Sequence, residues 1–290
     1  MRILAESNPV VTTVYFVAVA GIAMFSANPV VSAISLFSAV VLFIMNNGRK
    51  NMSTHFFSLL LFAVMALVNP LVSHNGVTVL FVINNNPITL EALVYGICAA
   101  LTVLAVIYWF RSFSQIMTED KLLYLFGTLS PKLALTLSMA LRYVSLFGAQ
   151  IKKVQASQKA LGLYKDDNIV DSFRGGMRVF SIMITWALEN GIITADSMTA
   201  RGYGIGKRSC FSLFRFKGED LFLISSAIIL TVLSVYGTSG ANFEFYPHIS
   251  VTEIDTRTII GYASYGLLNL IPVIIGVKEE LKWKYLRSKI

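Results

Sequence analysis

Thr199-Ala200-Arg201-Gly202-Tyr203 is the stretch of this 290-residue chain whose residue types, at their spacing, suit a defined piece of chemistry. A helix ends in free carbonyls that form a partly negative pole, so an arginine followed by glycine is stable there. The same order also lifts one side chain clear of the backbone. Alanine keeps the end narrow, glycine turns the chain away, and the side chain between them projects as a knob. Arginine suits a knob that docks, because its planar fork bonds a carboxylate at two points and stacks on aromatic rings. A second stretch, Gln158-Lys159-Ala160-Leu161-Gly162, repeats the pattern with Leu161 in the central place. What these two ends offer is docking rather than bond making.

Other constellations do not assemble a reactive centre. Gly202-Tyr203-Gly204-Ile205-Gly206-Lys207 has the composition of a phosphate loop without its spacing, since position 201 is Arg and Lys207 is followed by Arg208. Cys98 falls inside an apolar run and Cys210 in a basic segment, so the two lie at different levels and do not pair. His55, His74 and His248 stand singly, without the spacing of a metal site. Glu279-Glu280, followed by Lys282 and Lys284, lacks the intramembrane histidine or further carboxylate that a membrane protease needs.

The elements that must carry the two knobs are membrane helices. A hydrophobic fraction of 55%, 14% charged residues and a mean hydropathy of +0.66 exceed what a water-soluble chain of this length carries. Runs able to cross a ~30 Å hydrocarbon core, about 17 to 25 residues as helix, occur at 10–26, 29–45, 54–72, 91–110, 219–236 and 258–277. The first does not read as a cleaved signal peptide. Arg2, Arg49, Lys50, Arg111, the basic residues from Lys121 to Lys217 and the tail Lys278, Lys282, Lys284, Arg287 and Lys289 gather on one side, whereas Arg257 sits on the other among Glu244, Glu253 and Asp255. Positive charge marks the cytoplasmic side, so both termini are expected there. The net charge of +8 is then topology and implies no nucleic acid.

Asn28-Pro29 and Asn46 to Asn51 read as hairpin turns, Asn69-Pro70 as the close of the third run, and Val77 to Ile83 as extended chain turned by Asn84-Asn85-Asn86-Pro87. Thr89 is expected to cap the fourth span, with Glu91 near its positive end. Gly96 and Ala100, four residues apart, could let another helix approach closely. Residues 111–217 hold no run both long and uncharged enough to span. They read as an insertion between a four-span region, 1–110, and a two-span region with a basic tail, 218–290. Within it Ser130-Pro131 starts a helix that Gly162 stops; another runs from near Ser172 to Arg201, with Gly191 a possible interruption. Met117, Met139, Met177, Met183 and Met198, half of the ten methionines, fall here and suit an adaptable surface or a flexible core. The fold class is therefore an all-α integral membrane protein of about six spans whose cytoplasmic insertion carries two long helices.

Asn69-Pro70-Leu71, Pro87-Ile88-Thr89-Leu90-Glu91, Met117 to Leu125, Leu137-Ser138-Met139-Ala140-Leu141-Arg142-Tyr143 and the two glycine-terminated ends together resemble the transmembrane T component of energy-coupling factor transporters, the bacterial micronutrient importers. The resemblance implies that the two long helices are coupling helices whose Ala-Arg-Gly-like ends dock into two ABC-type ATPases, identical or not. It also implies that their membrane-facing surface, with Met139, Met177, Phe180, Met183 and Trp186 as candidates, holds a membrane-embedded, substrate-binding S component. Ala200, Arg201 and Gly202 match the motif. Ala160, Leu161 and Gly162 depart from it at Leu161, which suggests an apolar plug, helped by Lys159 beside Gln158, and would suit two different ATPases. ATP and Mg would be used by those partners, and this chain would be no enzyme. A permease that binds solute directly would need polar groups facing a cavity, and an intramembrane enzyme would need paired catalytic groups at one depth.

Overall fold

A computed structural model describes residues 7–26, 28–47, 52–73, 75–83, 86–163, 169–206, 214, 216–241, 243–251 and 255–287. Cys210, His74, Lys207 and Arg208, singled out above, lie outside the described residues. The helices are α1 (Pro9–Phe25), α2 (Pro29–Asn47), α3 (Met52–Val72), α4 (Leu90–Ile116), α5 (Glu119–Leu129), α6 (Pro131–Ala160), α7 (Ile169–Ala200), α8 (Gly218–Thr238) and α9 (Thr256–Arg287). Two short antiparallel ribbons join spans: β1 (Val79–Ile83) with β2 (Asn86–Thr89), and β3 (Phe243–Glu244) with β4 (Ser250–Val251). The chain forms two compact units, one of Met1–Leu122 with Phe214–Ile290 and one of Leu123–Leu213.

Six described helices are long and apolar enough to cross a membrane, and five of them, α2, α3, α4, α8 and α9, fall on expected runs. α1 is a shorter apolar helix of 17 residues, at the lower limit for a span, and the sixth is α6, inside the supposed non-spanning insertion. From Pro131 to Ile151 α6 carries only Lys132 and Arg142 among largely apolar residues, while Lys152, Lys153 and Lys159 cluster at its end. The chain is an all-α membrane protein with almost no sheet.

In the first unit, α1, α2, α4, α8 and α9 share a core around Trp109, Tyr15, Tyr265, Phe43 and Leu42. Trp109 meets Phe16 edge-on at 5.8 Å and donates its indole N–H to Ser35 Oγ at 3.0 Å. Pro272 lies inside α9. A proline has no N–H, so the carbonyl four residues earlier, Leu268, loses its helical donor. Tyr15 supplies the replacement, its hydroxyl donating to Leu268 O at 3.0 Å. Pro70 is likewise inside α3, which continues to Val72 rather than closing at Asn69-Pro70.

Glycine sets two of the helix crossings. A Cβ on Gly96 would lie 2.9 Å from Ala66 O and 2.9 Å from Asn69 Cβ, so the close approach expected of Gly96 is made by α3 of this same chain. Asn69 reinforces it by donating from Nδ2 to Ala92 O at 2.7 Å. At the α8–α9 crossing a Cβ on Gly237 would lie 2.6 Å from Gly261 N. Arg257 closes the adjacent end of α8, donating from Nε to Tyr236 O at 2.9 Å with its guanidinium 3.9 Å above the Tyr236 ring. Thr89 caps α4 as expected, accepting from Ala92 N at 3.3 Å. His55 has a structural role, bonded through Nδ1 to the Tyr108 hydroxyl at 2.9 Å.

Candidate functional site

The second unit is built on α6 and α7, 30 and 32 residues long, or roughly 45 and 48 Å at ~1.5 Å per residue. Pro131 occupies the first turn of α6 and fixes its start, but Ser130, expected to cap it, makes no side-chain cap hydrogen bond. α7 begins at Ile169, three residues before the expected Ser172, and runs through Gly191 without interruption. The two helices pack antiparallel. Tyr143 bonds Thr194 Oγ1 at 2.8 Å, Phe147 meets Trp186 edge-on at 5.6 Å, and Val154 packs with Val179 and Met183. Tyr143, Phe147 and Val154, which form the α6 side of the seam, were not among the candidate residues, although their spacing of four and seven residues is the helical signal for one face.

Both ends named at the outset form the same cap. In α6, Gly162 has φ +69°, its N–H donates to Lys159 O at 3.0 Å, and Leu163 N donates to Gln158 O at 3.0 Å. In α7, Gly202 has φ +82°, its N–H donates to Thr199 O at 2.9 Å, and Tyr203 N donates to Met198 O at 3.0 Å. This pair of bonds, closed by a left-handed glycine, is the Schellman motif. Leu161 and Arg201 therefore occupy equivalent places, each just beyond the last helical alanine, Ala160 and Ala200. Leu161 is 68% exposed and Arg201 is exposed as well. Among the described residues the Arg201 guanidinium has no partner. Leu163, one step past the first end, is held by Arg178, whose Nη1 donates to its carbonyl at 3.0 Å.

Because α6 and α7 are antiparallel, the two knobs stand at opposite ends of the pair. The seam is centred near Phe147 and Trp186, and each knob is about 14 residues from it, so they lie up to roughly 40 Å apart at ~1.5 Å per residue. The candidate contact residues divide by exposure. Met177 and Phe180 are exposed and Met139 is half-buried, but Met183 is buried and Trp186 half-buried in the α6–α7 seam. Met183 thus serves internal packing, and Trp186 packs in the seam while remaining partly exposed. Phe173, Met177, Phe180, Ile184, Leu188 and Ile192 form an exposed apolar stripe along α7 at helical spacing.

The described fold is an all-α membrane protein whose second unit is a long antiparallel helix pair with projecting ends and an exposed apolar stripe. The chain belongs to the CbiQ family, described as cobalt transport protein, whose profile matches residues 2–213. This is the family of energy-coupling factor T components that the motifs resemble. The match includes both glycine-terminated ends, and α8 lies beyond it. No curated protein matches the chain.

Proposed function

We propose that the chain is the coupling subunit of an energy-coupling factor importer in the bacterial cytoplasmic membrane, multi-pass with both termini on the cytoplasmic side. Members of the family work in complexes with ATPase and substrate-binding components. In this reading Arg201 docks in a groove of one ABC-type ATPase and Leu161 in that of another, while the exposed stripe of α7 holds a membrane-embedded S component. Binding of ATP and Mg closes the ATPase pair and draws the two knobs together. The α6–α7 pair turns that motion into a tilt or release of the S component, which opens its site inward. Substrate choice, a vitamin or another micronutrient, rests with the S component.

The observation that supports this reading is the pair of matching Schellman ends at opposite extremities of one helix pair, one of them presenting an exposed arginine. Residues 1–122 and 214–290 then serve as the membrane frame and the intervening unit as the coupling element. The test is co-purification from a native membrane. Two ATPase chains and a small membrane protein should elute with this subunit, and vesicles holding all of them should take up substrate only with ATP. The isolated subunit should bind no ATP. Stoichiometric nucleotide binding by the single chain, or uptake without ATPases, would overturn the proposal.

A further inference from the structure

The connection between α3 and α4 carries an apolar ribbon that coupling does not require. From Val77 to Leu90 the sequence holds no Asp, Glu, Lys or Arg. Strands β1 and β2 pair antiparallel, with Phe81 opposite Ile88 and Val82 opposite Pro87. Val77, Val79, Leu80, Phe81 and Val82 are each 50–60% exposed, and neighbouring strand positions point to opposite faces, so the ribbon is apolar on both sides. On β2, Ile88 and Thr89 are buried, so the exposed apolar surface is that of β1; beside the second ribbon, Phe245 is buried and meets Tyr95 of α4 edge-on at 5.3 Å.

A polar clamp fixes the attitude of the first ribbon. Leu90 N donates to Thr78 O at 3.0 Å, and Thr78 donates from N and Oγ1 to Glu91 Oε1 at 3.2 and 2.7 Å. Thr89 Oγ1 donates to Asn75 O at 2.7 Å. Gly76, at φ +132°, leaves room for the carboxylate, since a Cβ there would lie 2.6 Å from Glu91 Oε2. The clamp holds an apolar tongue at a set angle to the start of α4.

Two requirements decide what surrounds it. An uncharged β-branched ribbon with bare edges in water is a template for aggregation, so the faces need an apolar cover. Unpaired backbone edges, in turn, are not tolerated within the hydrocarbon core. The headgroup–acyl boundary meets both needs, offering chains to the faces and water to the edges. The ribbon is also continuous with Leu67, Val68, Leu71 and Val72, exposed apolar residues in the last turns of the membrane-crossing helix α3. We infer that β1–β2 is an interfacial tongue embedded in the bilayer leaflet at this end of α3 and α4, and that its partner is phospholipid.

The test is Phe81→Trp, reconstituted with its ATPases and S component in phospholipid vesicles and read as the difference from the parent emission. The added tryptophan should emit at blue-shifted wavelength. Lipids brominated near the headgroup should quench it more than lipids brominated deep in the chain, and aqueous iodide should quench it little. Leu80→Trp replaces it should the first variant fail to elute as a folded species. Iodide quenching without bromolipid quenching would place the ribbon in water and overturn the inference. Bromolipid quenching of the isolated chain that disappears in the full assembly would make a protein the occupant, and would overturn it as well.

Discussion

Replacing Gly202 by alanine probes how Arg201 is presented while leaving every tip side chain in place. At φ +82° the residue is in the left-handed region, where a Cβ crowds the following carbonyl at a cost of roughly 1–2 kcal/mol. There is no packing penalty to add, because the nearest atom to a Cβ at Gly202 is Ile205 Cδ1 at 3.6 Å, and a Cβ at Gly162 meets nothing within 4 Å. The cost is therefore conformational and local. Either the strain is carried, or the cap opens and loses Gly202 N→Thr199 O and Tyr203 N→Met198 O to water. In both cases the body of the 32-residue α7 is untouched, so its helix content and thermal midpoint in detergent should barely move. If docking requires the closed cap, that cost appears as a roughly five- to thirtyfold loss of ATPase affinity, about 1.4 kcal/mol being tenfold. Gly202→Asn should retain most of the binding, since asparagine enters the left-handed region more readily. Titrating the ATPase pair onto immobilised variants reads both numbers. Wild-type affinity for Gly202→Ala, or a deficit as large for Asn as for Ala, would refute the claim that the turn aims the knob.

The same titration compares the knobs themselves. Arg201→Ala should cost about 2–5 kcal/mol by leaving a buried acidic partner unpaired, against roughly 1.5–3 kcal/mol for Leu161→Ala; Arg201→Lys should rescue poorly and Leu161→Met should be nearly silent. Gly237→Ala sets a Cβ 2.6 Å from Gly261 N and 2.9 Å from Arg257 O, backbone atoms with no rotamer to yield, so overpacking should cost about 1–3 kcal/mol and lower the thermal midpoint in detergent; an unchanged midpoint would exclude so close a crossing. Tyr15→Phe should lose about 1–3 kcal/mol by orphaning the buried Leu268 carbonyl, and adding Pro272→Ala, which restores the missing N–H, should recover part of it in the same melting assay.

The residues that end helices by their own backbone chemistry were legible in the sequence. Pro131 fixes the start of α6, and Gly162 and Gly202 stop α6 and α7, because a locked φ and a left-handed turn are properties of single residues. What depended on another element was not. Pro70 reads as a helix end, yet α3 continues past it; Pro272 is tolerated because Tyr15, far away in the chain, takes up the carbonyl it frees. Periodicity gave α7 an apolar face without saying which side meets α6. Met183 consequently looked as available as Met177, although it lies in the seam. The Gly237–Gly261 crossing had no sequence signal, since each glycine matters only because the other is opposite.

The shallow seam between α6 and α7 bears on how such a pair could work. On these helices the buried side chains are Val154, Val179 and Met183, gathered with Phe147 and Trp186, while both helices extend beyond this cluster, with exposed apolar residues on the Leu133 side of α6 and along α7. So little mutual burial, at about 25 cal/mol per Å², does not hold two long helices rigid in water. The pair needs apolar cover along its arms, and whatever supplies that cover also sets the angle between them. The knobs, by contrast, are fixed by local hydrogen bonds that need no partner. Under the coupling proposal this separates two jobs: the caps give each ATPase a rigid handle, and the exposed stripe lets an S component and the helix angle influence one another. A partner bound along Phe173 to Ile192 should then change the spacing of Leu161 and Arg201, and by linkage ATPase closure should change that partner's affinity by the same factor.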